Sequence, residues 1–119
     1  RFGPWEAEWG RAAARLLLND GAAFDAVICQ NDVLARGCIE ELERSGCRVP
    51  QDVAVIGHDN SPDYVSYAHP LLTSIDDNNE MLGRQAALCL LDAIAGHPHH
   101  GVERVPVKLI QRESTLPLD

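Results

Sequence analysis

Aromatic residues are scarce in this chain of 119 residues, at 5% of the total, although 45% of its residues are hydrophobic. The chain is long enough for one domain with a core, but that core must consist mainly of Ala, Val, Leu and Ile. No stretch approaches the ~20 apolar residues of a transmembrane helix. Charged residues within positions 1–20 argue against a secretory signal. The sequence does not begin with Met, so we expect it to be part of a longer protein.

Basic residues are also few. Ten Lys and Arg stand against 18 Asp and Glu, which gives a formal net charge of −8, and the basic residues form no cluster. A surface of this sign repels phosphate groups. We therefore expect these residues neither to bind nucleic acid directly nor to associate with a membrane.

Motifs of catalysis are missing. The sequence contains no GxSxG, no serine with a recognisable base and no Gly-rich phosphate loop, so we predict no catalytic residue, no cofactor and no enzyme activity. His97, His99 and His100 resemble a metal cluster, but they fall in a loop after a predicted helix and have no fixed geometry. No metal site is predicted from them.

The four cysteines, Cys29, Cys38, Cys47 and Cys89, form no CxxC pair and no close cluster with histidine. Cys29 falls in an apolar strand segment, and Cys38 falls on a predicted helix. Their positions favour free thiols that pack as small hydrophobic residues in a reducing cytoplasm.

Hydrophobic periodicity predicts an α/β organisation. Helices are predicted over 5–19, 32–45 and 78–95, strands over 25–30, 53–57, 71–75 and 102–112, and a loop with at most one helical turn over 60–71. The first two strands lack polar alternation, which is typical of strands buried on both faces of a parallel sheet. With the helix between them they form a βαβ unit with a right-handed crossover.

Polar side chains follow both of these strands, as Gln-Asn-Asp at 30–32 and Gly-His-Asp-Asn at 57–60. Ligands bind where the carboxyl ends of parallel strands meet. Asp32 is predicted to cap the helix that it begins. Asn31 offers a donor and an acceptor, and Asp59 offers a carboxylate, so the two could bracket neighbouring hydroxyls. Local turn capping is the alternative for each of them.

Two further candidates are less distinctive. Trp5 comes just before the first predicted helix, where its ring could stack on a sugar or a base; the alternative is a core tryptophan that covers the sheet. Asp77 follows Asp76 in a pair that is most often a solvated loop or a helix N-terminus.

Four segments in register resemble one protein family. FDAVICQNDVLARGCIEELERSGCRVPQDVAVIGHDN, HPLLTSI, LGRQAALCLLDAIAG and VPVKLIQREST resemble the C-terminal ligand-binding region of LacI/GalR-type transcriptional regulators. Their order and spacing match along nearly the whole chain. The resemblance implies a parallel-sheet, periplasmic-binding-protein-like (type I) α/β fold, which has two subdomains around a cleft and is present here as an incomplete fragment.

The same resemblance implies roles for individual residues. Asn31 matches an effector contact, Asp59 matches an acidic residue that accepts a hydroxyl, and Trp5 falls where an aromatic ring often stacks on the effector. Asp77 aligns with a position that is commonly Gln, and His58 stands where Phe or Tyr is usual. The predicted ligand-binding residues are thus Trp5, Asn31, Asp59 and Asp77.

The resemblance also implies an effector-sensing and dimerisation role in a cytoplasmic regulator whose small-molecule effector is a sugar or a related polyol. DNA would be bound only through a helix-turn-helix that lies N-terminal to these residues. Residues 1–75 would belong to the second subdomain, 76–101 would return to the first, and 102–119 would form the terminal strand and tail. Helix 32–45 and the Tyr64–Tyr67 loop match a homodimer interface.

Helix 78–95 raises a physical problem for such a fragment. Its predicted apolar stripe consists of Leu82, Ala86, Cys89 and Ala93, and the sheet on which it would pack in the complete fold is not part of this sequence. We therefore expect either an exposed apolar face or a dimer that covers it.

Two rival functions share features with this interpretation. A periplasmic sugar-binding component of a transporter has the same fold, but the free thiols and the REST ending favour the regulator. An enzyme of flavodoxin-like architecture would need a nucleophile, a metal or a phosphate loop, and the sequence shows none of these.

Overall fold

The computed structural model describes residues 3–21 and 23–115, and the predicted alternation of strands and helices is present in them. Positions 116–119 of the predicted tail lie outside the described residues. The elements in chain order are α1 (Ala7–Asn19), β1 (Ala26–Ile28), α2 (Asp32–Arg44), β2 (Ala54–His58), α3 (Pro62–Val65), β3 (Thr73–Asp76), α4 (Asn79–Ile94) and β4 (Lys108–Ile110). The strand predicted over 102–112 is therefore only three residues long, because it pairs with β3 only beyond Pro106, a residue without the N–H that a central strand needs.

The four strands form one sheet in the order β1-β2-β3-β4. The first three run parallel, with Val27 opposite Val55 and Ile56 opposite Thr73, and β4 pairs antiparallel with β3. The predicted βαβ unit is thus confirmed, since α2 connects two adjacent parallel strands. Consequently, the loops that follow β1, β2 and β3 leave the sheet at the same edge.

The core lies between α2 and the sheet, where Leu42, Val55 and Leu72 are fully buried. The prediction that the first strand is buried on both faces is wrong. Val27 is half-buried and packs against the core, whereas Ile28 on the opposite face is 74% exposed. Burial on both faces requires a second layer, and in the described part of the chain no helix covers that face of β1.

The fourth helix, α4, projects away from this core. The radius of gyration is 17.9 Å, whereas a compact domain of this length has about 13.5 Å. Leu90, Leu91 and Ile94 are all exposed, so the expected exposed apolar face is confirmed. Cys89, however, does not belong to that face: it is half-buried beneath the loop that follows the helix. Among the described residues, no helix combines the length and the apolar character needed to cross a bilayer.

An ion pair cluster links α1 to α2 at the buried Glu41, whose arginine partners are exposed. Its carboxylate accepts hydrogen bonds from Arg44, one turn along α2, and from Arg15 of α1, whose Nε lies 3.1 Å away. The hydrogen bonds from Arg44 and Arg15 lower the pKa of Glu41 from 4.5 to about 2, and the bond from Arg44 has the larger effect.

The Glu41 cluster predicts how the stability of the chain depends on pH. Because the folded-state pKa lies below the unfolded one, the stabilisation is complete above about pH 4.5 and is lost as the pH falls toward 2. In urea titrations across this range, Glu41→Gln should lose stability less steeply than the wild type. Glu43→Gln, at an exposed position of the same helix, is the control and should follow the wild-type curve. Parallel wild-type and Glu41→Gln curves would contradict the prediction.

Candidate ligand-binding site at the carboxyl ends of the strands

Asp32 holds together the loops that meet at the carboxyl edge of the sheet. It is 1% exposed, and its carboxylate accepts hydrogen bonds from Ser61 N at 2.7 Å and from Ser74 Oγ at 2.5 Å. Any side chain at position 57 would collide with this carboxylate, since a Cβ on Gly57 would lie 2.2 Å from Asp32 Oδ1. The Asp32 carboxylate at the start of α2 thus joins the loop that follows β2 to the strand β3.

Burial raises the pKa of Asp32, and the charge of Asp59 raises it further, whereas the hydrogen bonds from Ser74 and Ser61 lower it. This buried role of Asp32 differs from the helix cap that the sequence predicts. The available signal was Ser74, a polar residue inside the apolar segment LLTSI, because a buried hydroxyl needs a partner.

The helix cap differs from the prediction by one residue. Asn31, not Asp32, is the N-cap of α2: its backbone is extended, and its Oδ1 accepts a hydrogen bond from Leu34 N at 2.9 Å. The physical reason is that Asp32 already has helical geometry, and the cap is the residue before it. The capping alternative for Asn31 is thereby confirmed. Its Nδ2 donates no hydrogen bond within the described residues, so a donor remains for a ligand.

His58, the last residue of β2, lies between two carboxylates. His58 Nδ1 lies 3.3 Å from Asp59 Oδ1, and His58 Nε2 lies 3.3 Å from Asp77 Oδ1. Asp59 has φ = +97°, a backbone conformation that residues other than glycine rarely adopt, and its N–H donates to Ile75 O at 2.9 Å. Two of the predicted ligand-binding residues, Asp59 and Asp77, are thus held around one imidazole.

Asn60 fixes the same loop against the neighbouring strands. Its N–H donates to Ser74 Oγ at 3.0 Å, and its Nδ2 donates to Asp76 Oδ2 at 3.2 Å. Its Oδ1 accepts from Arg112 Nη2 at 2.7 Å, while Arg112 Nη1 donates to Leu72 O at 2.8 Å. Both the Oδ1 and the Nδ2 of Asn60 therefore bind the scaffold.

The two tryptophans differ in exposure. Trp5 is 70% exposed before α1, so the alternative of a core tryptophan that covers the sheet is wrong. Trp9 instead lines a groove of about 330 Å³ between α1, β1 and α2, together with Ile28 and Gln30. Sequence reasoning missed Trp9 because helical periodicity does not show which of two nearby aromatic residues faces β1.

A larger and more open hollow of about 920 Å³ lies at the opposite edge of the sheet. Val49, His69 and Leu71 line it, and they precede β2 and β3. Because ligand sites of parallel sheets form at the carboxyl ends of the strands, this larger hollow does not lie where the sequence predicts the ligand.

Residues 3–115 match the family model described as periplasmic binding protein-like domain. The chain belongs to this family. Among its relatives, the HTH-type transcriptional regulator CelR of Thermobifida fusca is 37% identical over 114 residues, which are 95% of this chain and 33% of CelR. The lactose operon repressor of Escherichia coli K12 is 34% identical over 116 residues, 98% of this chain and 32% of the repressor. The chain thus spans about a third of the length of these curated relatives.

Solved structures of the periplasmic binding protein-like family agree. The dimeric Lac repressor superimposes with a TM-score of 0.87 at 33% identity, over 96% of this chain and 42% of that one. A complex of the transcriptional regulator CelR with cellobiose gives a TM-score of 0.81 at 37% identity, over 94% and 34% of the two chains. The predicted resemblance to LacI-type regulators and the predicted fold class are both confirmed.

Proposed function

We propose that this chain is the C-terminal part of the effector-binding domain of a LacI-type transcription regulator, and that its effector is a sugar or a related small polyol. One observation carries the proposal: Asp59 and Asp77 are held around His58 at the edge where Asn31 ends the neighbouring strand. Carboxylate and amide groups on adjacent strand ends suit the alternating hydroxyls of a polyol. The regulators among the relatives support the regulatory role.

Each side chain of the proposed site has a separate task. Asn31 Nδ2 would donate to a hydroxyl oxygen, because its Oδ1 is occupied by the α2 cap. Asp59 and Asp77 would accept from hydroxyls, and His58 keeps the two carboxylates at a fixed separation. Trp5, which does not pack in the core, would stack on the apolar face of the sugar ring. The enzyme alternative has no support among the relatives, which are regulators.

The effector would act by shifting an equilibrium. In the longer protein, binding between two subdomains changes their arrangement only to the extent that the effector prefers one arrangement. Residues 1–75 would belong to one subdomain, 76–101 would return to the other, whose sheet would cover the exposed face of α4, and 102–119 would cross back. DNA would be bound by a separate N-terminal helix-turn-helix.

A second copy of the chain would complete the regulator, since a Lac repressor structure is described as dimeric. Most of α2 is buried within its own chain. The exposed Tyr67 and the loop around it are therefore the part of the predicted homodimer interface that remains available.

Isothermal calorimetry on the longer protein that contains this chain tests the proposal, with cellobiose, lactose and other small sugars and nucleosides as probes. Asp59→Asn keeps a residue that tolerates positive φ but removes the charge, and Asn31→Asp keeps the cap but removes the donor. Asp59→Asn should weaken binding of the preferred sugar about 10- to 100-fold, since hydrogen bonds to charged groups contribute about 1.5–3 kcal/mol. Asn31→Asp removes a hydrogen bond between neutral groups, which contributes about 0.5–1.5 kcal/mol, and should weaken binding about 2- to 10-fold.

Asp63→Asn is the matched control, because Asp63 is exposed on α3 just beyond the same strand, and it should leave the affinity unchanged. Undiminished affinity in both site variants would show that the site is wrongly assigned. Failure of every sugar in the panel to bind the wild type would count against a polyol effector.

A further inference from the structure

The loop that follows α4 brings a thiol, an imidazole and a carboxylate together, away from the carboxyl edge of the sheet. Ligand atoms of Cys89, His99 and Glu103 all lie within 4.8 Å of one another. His99 Nδ1 lies 3.0 Å from Glu103 Oε1, and the Cys89 thiol donates to Glu103 Oε2 at 3.9 Å. The three residues belong to two segments, the helix and the loop that folds back on it.

The cluster lies on the side of α4 opposite Leu90 and Ile94. Gln85, Cys89 and Asp92 are spaced four and three residues apart and so share one face of α4, whereas Leu90 and Ile94 are on the other side of the helix. Gln85 and Cys89 are the half-buried residues of α4, because the loop covers them. A partner that packs on the apolar face would therefore leave this cluster accessible.

Further contacts orient the three groups. His99 Nε2 lies 2.8 Å from Asp92 Oδ2, so Nε2 carries a proton and Nδ1 points to Glu103. Gln85 Nε2 donates to Glu103 Oε2 at 2.9 Å. A histidine that ligates a metal through one nitrogen commonly donates the other N–H to a carboxylate, and ligating carboxylates are themselves hydrogen-bonded. The cluster has both features.

We propose that Cys89, His99 Nδ1 and Glu103 bind a zinc ion or a similar divalent transition metal, with water as the fourth ligand. Tetrahedral zinc with bonds of 2.0–2.3 Å places neighbouring ligand atoms about 3.3–3.6 Å apart, between the two distances seen here. A thiolate among the ligands selects zinc over magnesium or calcium. The ion would replace the protons on the Cys89 thiol and on His99 Nδ1, which pass to solvent, and its two charges would balance the thiolate and Glu103.

This site explains a motif that the candidate effector site does not use. The histidine run at 97–100 suggested a metal, but its spacing alone gives no geometry. The structure selects His99 from that run and supplies Cys89, ten residues earlier, and Glu103, four residues later. A bound ion would fix the loop between α4 and β4, the segment that connects the projecting helix to the sheet.

Titration of the reduced chain, made without a polyhistidine tag, with Co²⁺ alone tests the proposal. The wild type should show a thiolate-to-cobalt charge-transfer band and the visible bands of tetrahedral cobalt, and Zn²⁺ should remove both. Cys89→Ser should abolish the charge-transfer band. Asp92→Asn, which removes only the partner of His99, should weaken affinity about 10- to 100-fold, and Zn²⁺ should raise the melting temperature of the wild type but not of Cys89→Ser.

His97→Gln and Cys47→Ser are the matched controls, since they remove a neighbouring histidine and another thiol, and both should retain the wild-type spectrum. A wild type without the charge-transfer band would overturn the proposal. A band that survives in Cys89→Ser would also overturn it, as would loss of binding in His97→Gln equal to that in His99→Gln, which would indicate adventitious binding by the histidine run.

Discussion

Replacing Gly37 by alanine is expected to lower the free energy of unfolding by about 3 kcal/mol, which corresponds to a fall of about 10 °C in melting temperature for a chain of this size. A Cβ at this position would lie 1.9 Å from Ala7 O and 2.8 Å from Ala7 C. Both atoms belong to the backbone of α1, so no side-chain rotation can relieve the overlap. The helices would have to separate, which would also loosen the contact between Arg15 and Glu41.

The gain in helix propensity does not offset this loss. Alanine is about 1 kcal/mol more favourable than glycine inside a helix, and that gain should appear unopposed at Gly83 of α4, where an added Cβ has nothing within 4 Å. Gly83→Ala is therefore the matched control and should raise stability. If chemical denaturation shows that Gly37→Ala stabilises the chain as much as Gly83→Ala, the two helices are not in backbone contact.

Gly10 provides an internal check on the same contact. A Cβ at Gly10 would lie 2.2 Å from Leu34 O, so either substitution forces the same separation of α1 and α2. Once the helices have moved apart, the second Cβ costs little. The double variant should consequently lose clearly less than the sum of the single losses, because neighbouring sites that share one structural adjustment are not additive.

The features that the sequence predicted well depend on local patterns. Apolar periodicity and stop signals such as Gly46 were sufficient for α1, α2 and α4, and the two apolar runs around Val27 and Val55 were sufficient for a parallel pair. Parallel pairing in turn places residues 31 and 59 together at the carboxyl ends of β1 and β2, and this placement does not depend on the conformation of the loops. What occupies that edge stays a prediction, since no property of the chain in isolation identifies a ligand.

The features that were missed depend on contacts between distant parts of the chain. Burial of Asp32 requires hydrogen bonds from Ser61 and Ser74, which belong to two other segments. The polar Ser74 in an apolar segment indicates a buried partner but does not identify which residue it is. Exposure of Ile28 was missed for a related reason: an apolar run shows that a strand can be covered, not that the covering layer belongs to the same chain. The cap was misplaced by one residue because Asn and Asp are both good caps.

The buried cation Arg36 should be as important for stability as the contact between α1 and α2. Arg36 is 3% exposed, and its guanidinium donates to the carbonyl oxygens of Tyr64, Val65 and Pro70, at 2.7 Å for the last. The guanidinium carbon also lies 5.2 Å from the centre of the Tyr67 ring. Burial lowers the pKa of Arg36, and no carboxylate forms an ion pair with it among the described residues. One side chain of α2 thus holds the part of the β2–β3 loop from Tyr64 to Pro70.

Arg36→Met should therefore lower the free energy of unfolding by about 3–4 kcal/mol, because three carbonyl groups lose hydrogen bonds to a charge, each contributing about 1.5–3 kcal/mol, and water recovers part of that loss near the surface. Arg36→Lys should lie between Arg36→Met and the wild type, since an ammonium group keeps the charge but lacks the planar fork. Arg48→Met is the control: Arg48 is exposed and, among the described residues, forms an ion pair only with Asp52, so its removal should change stability little.

Hydrogen exchange separates this specific effect of Arg36 from a general loss of stability. The amide of Leu72 donates to Val65 O, an oxygen that Arg36 also contacts, so its protection should fall more in Arg36→Met than that of Val55 in the sheet. Because Ser61 at the start of the same loop donates to Asp32, loosening the loop would also disturb the scaffold beneath Asp59. A uniform fall in protection would show that Arg36 stabilises the fold as a whole and not this loop in particular. It would contradict the inference that Arg36 supports the candidate site through the loop.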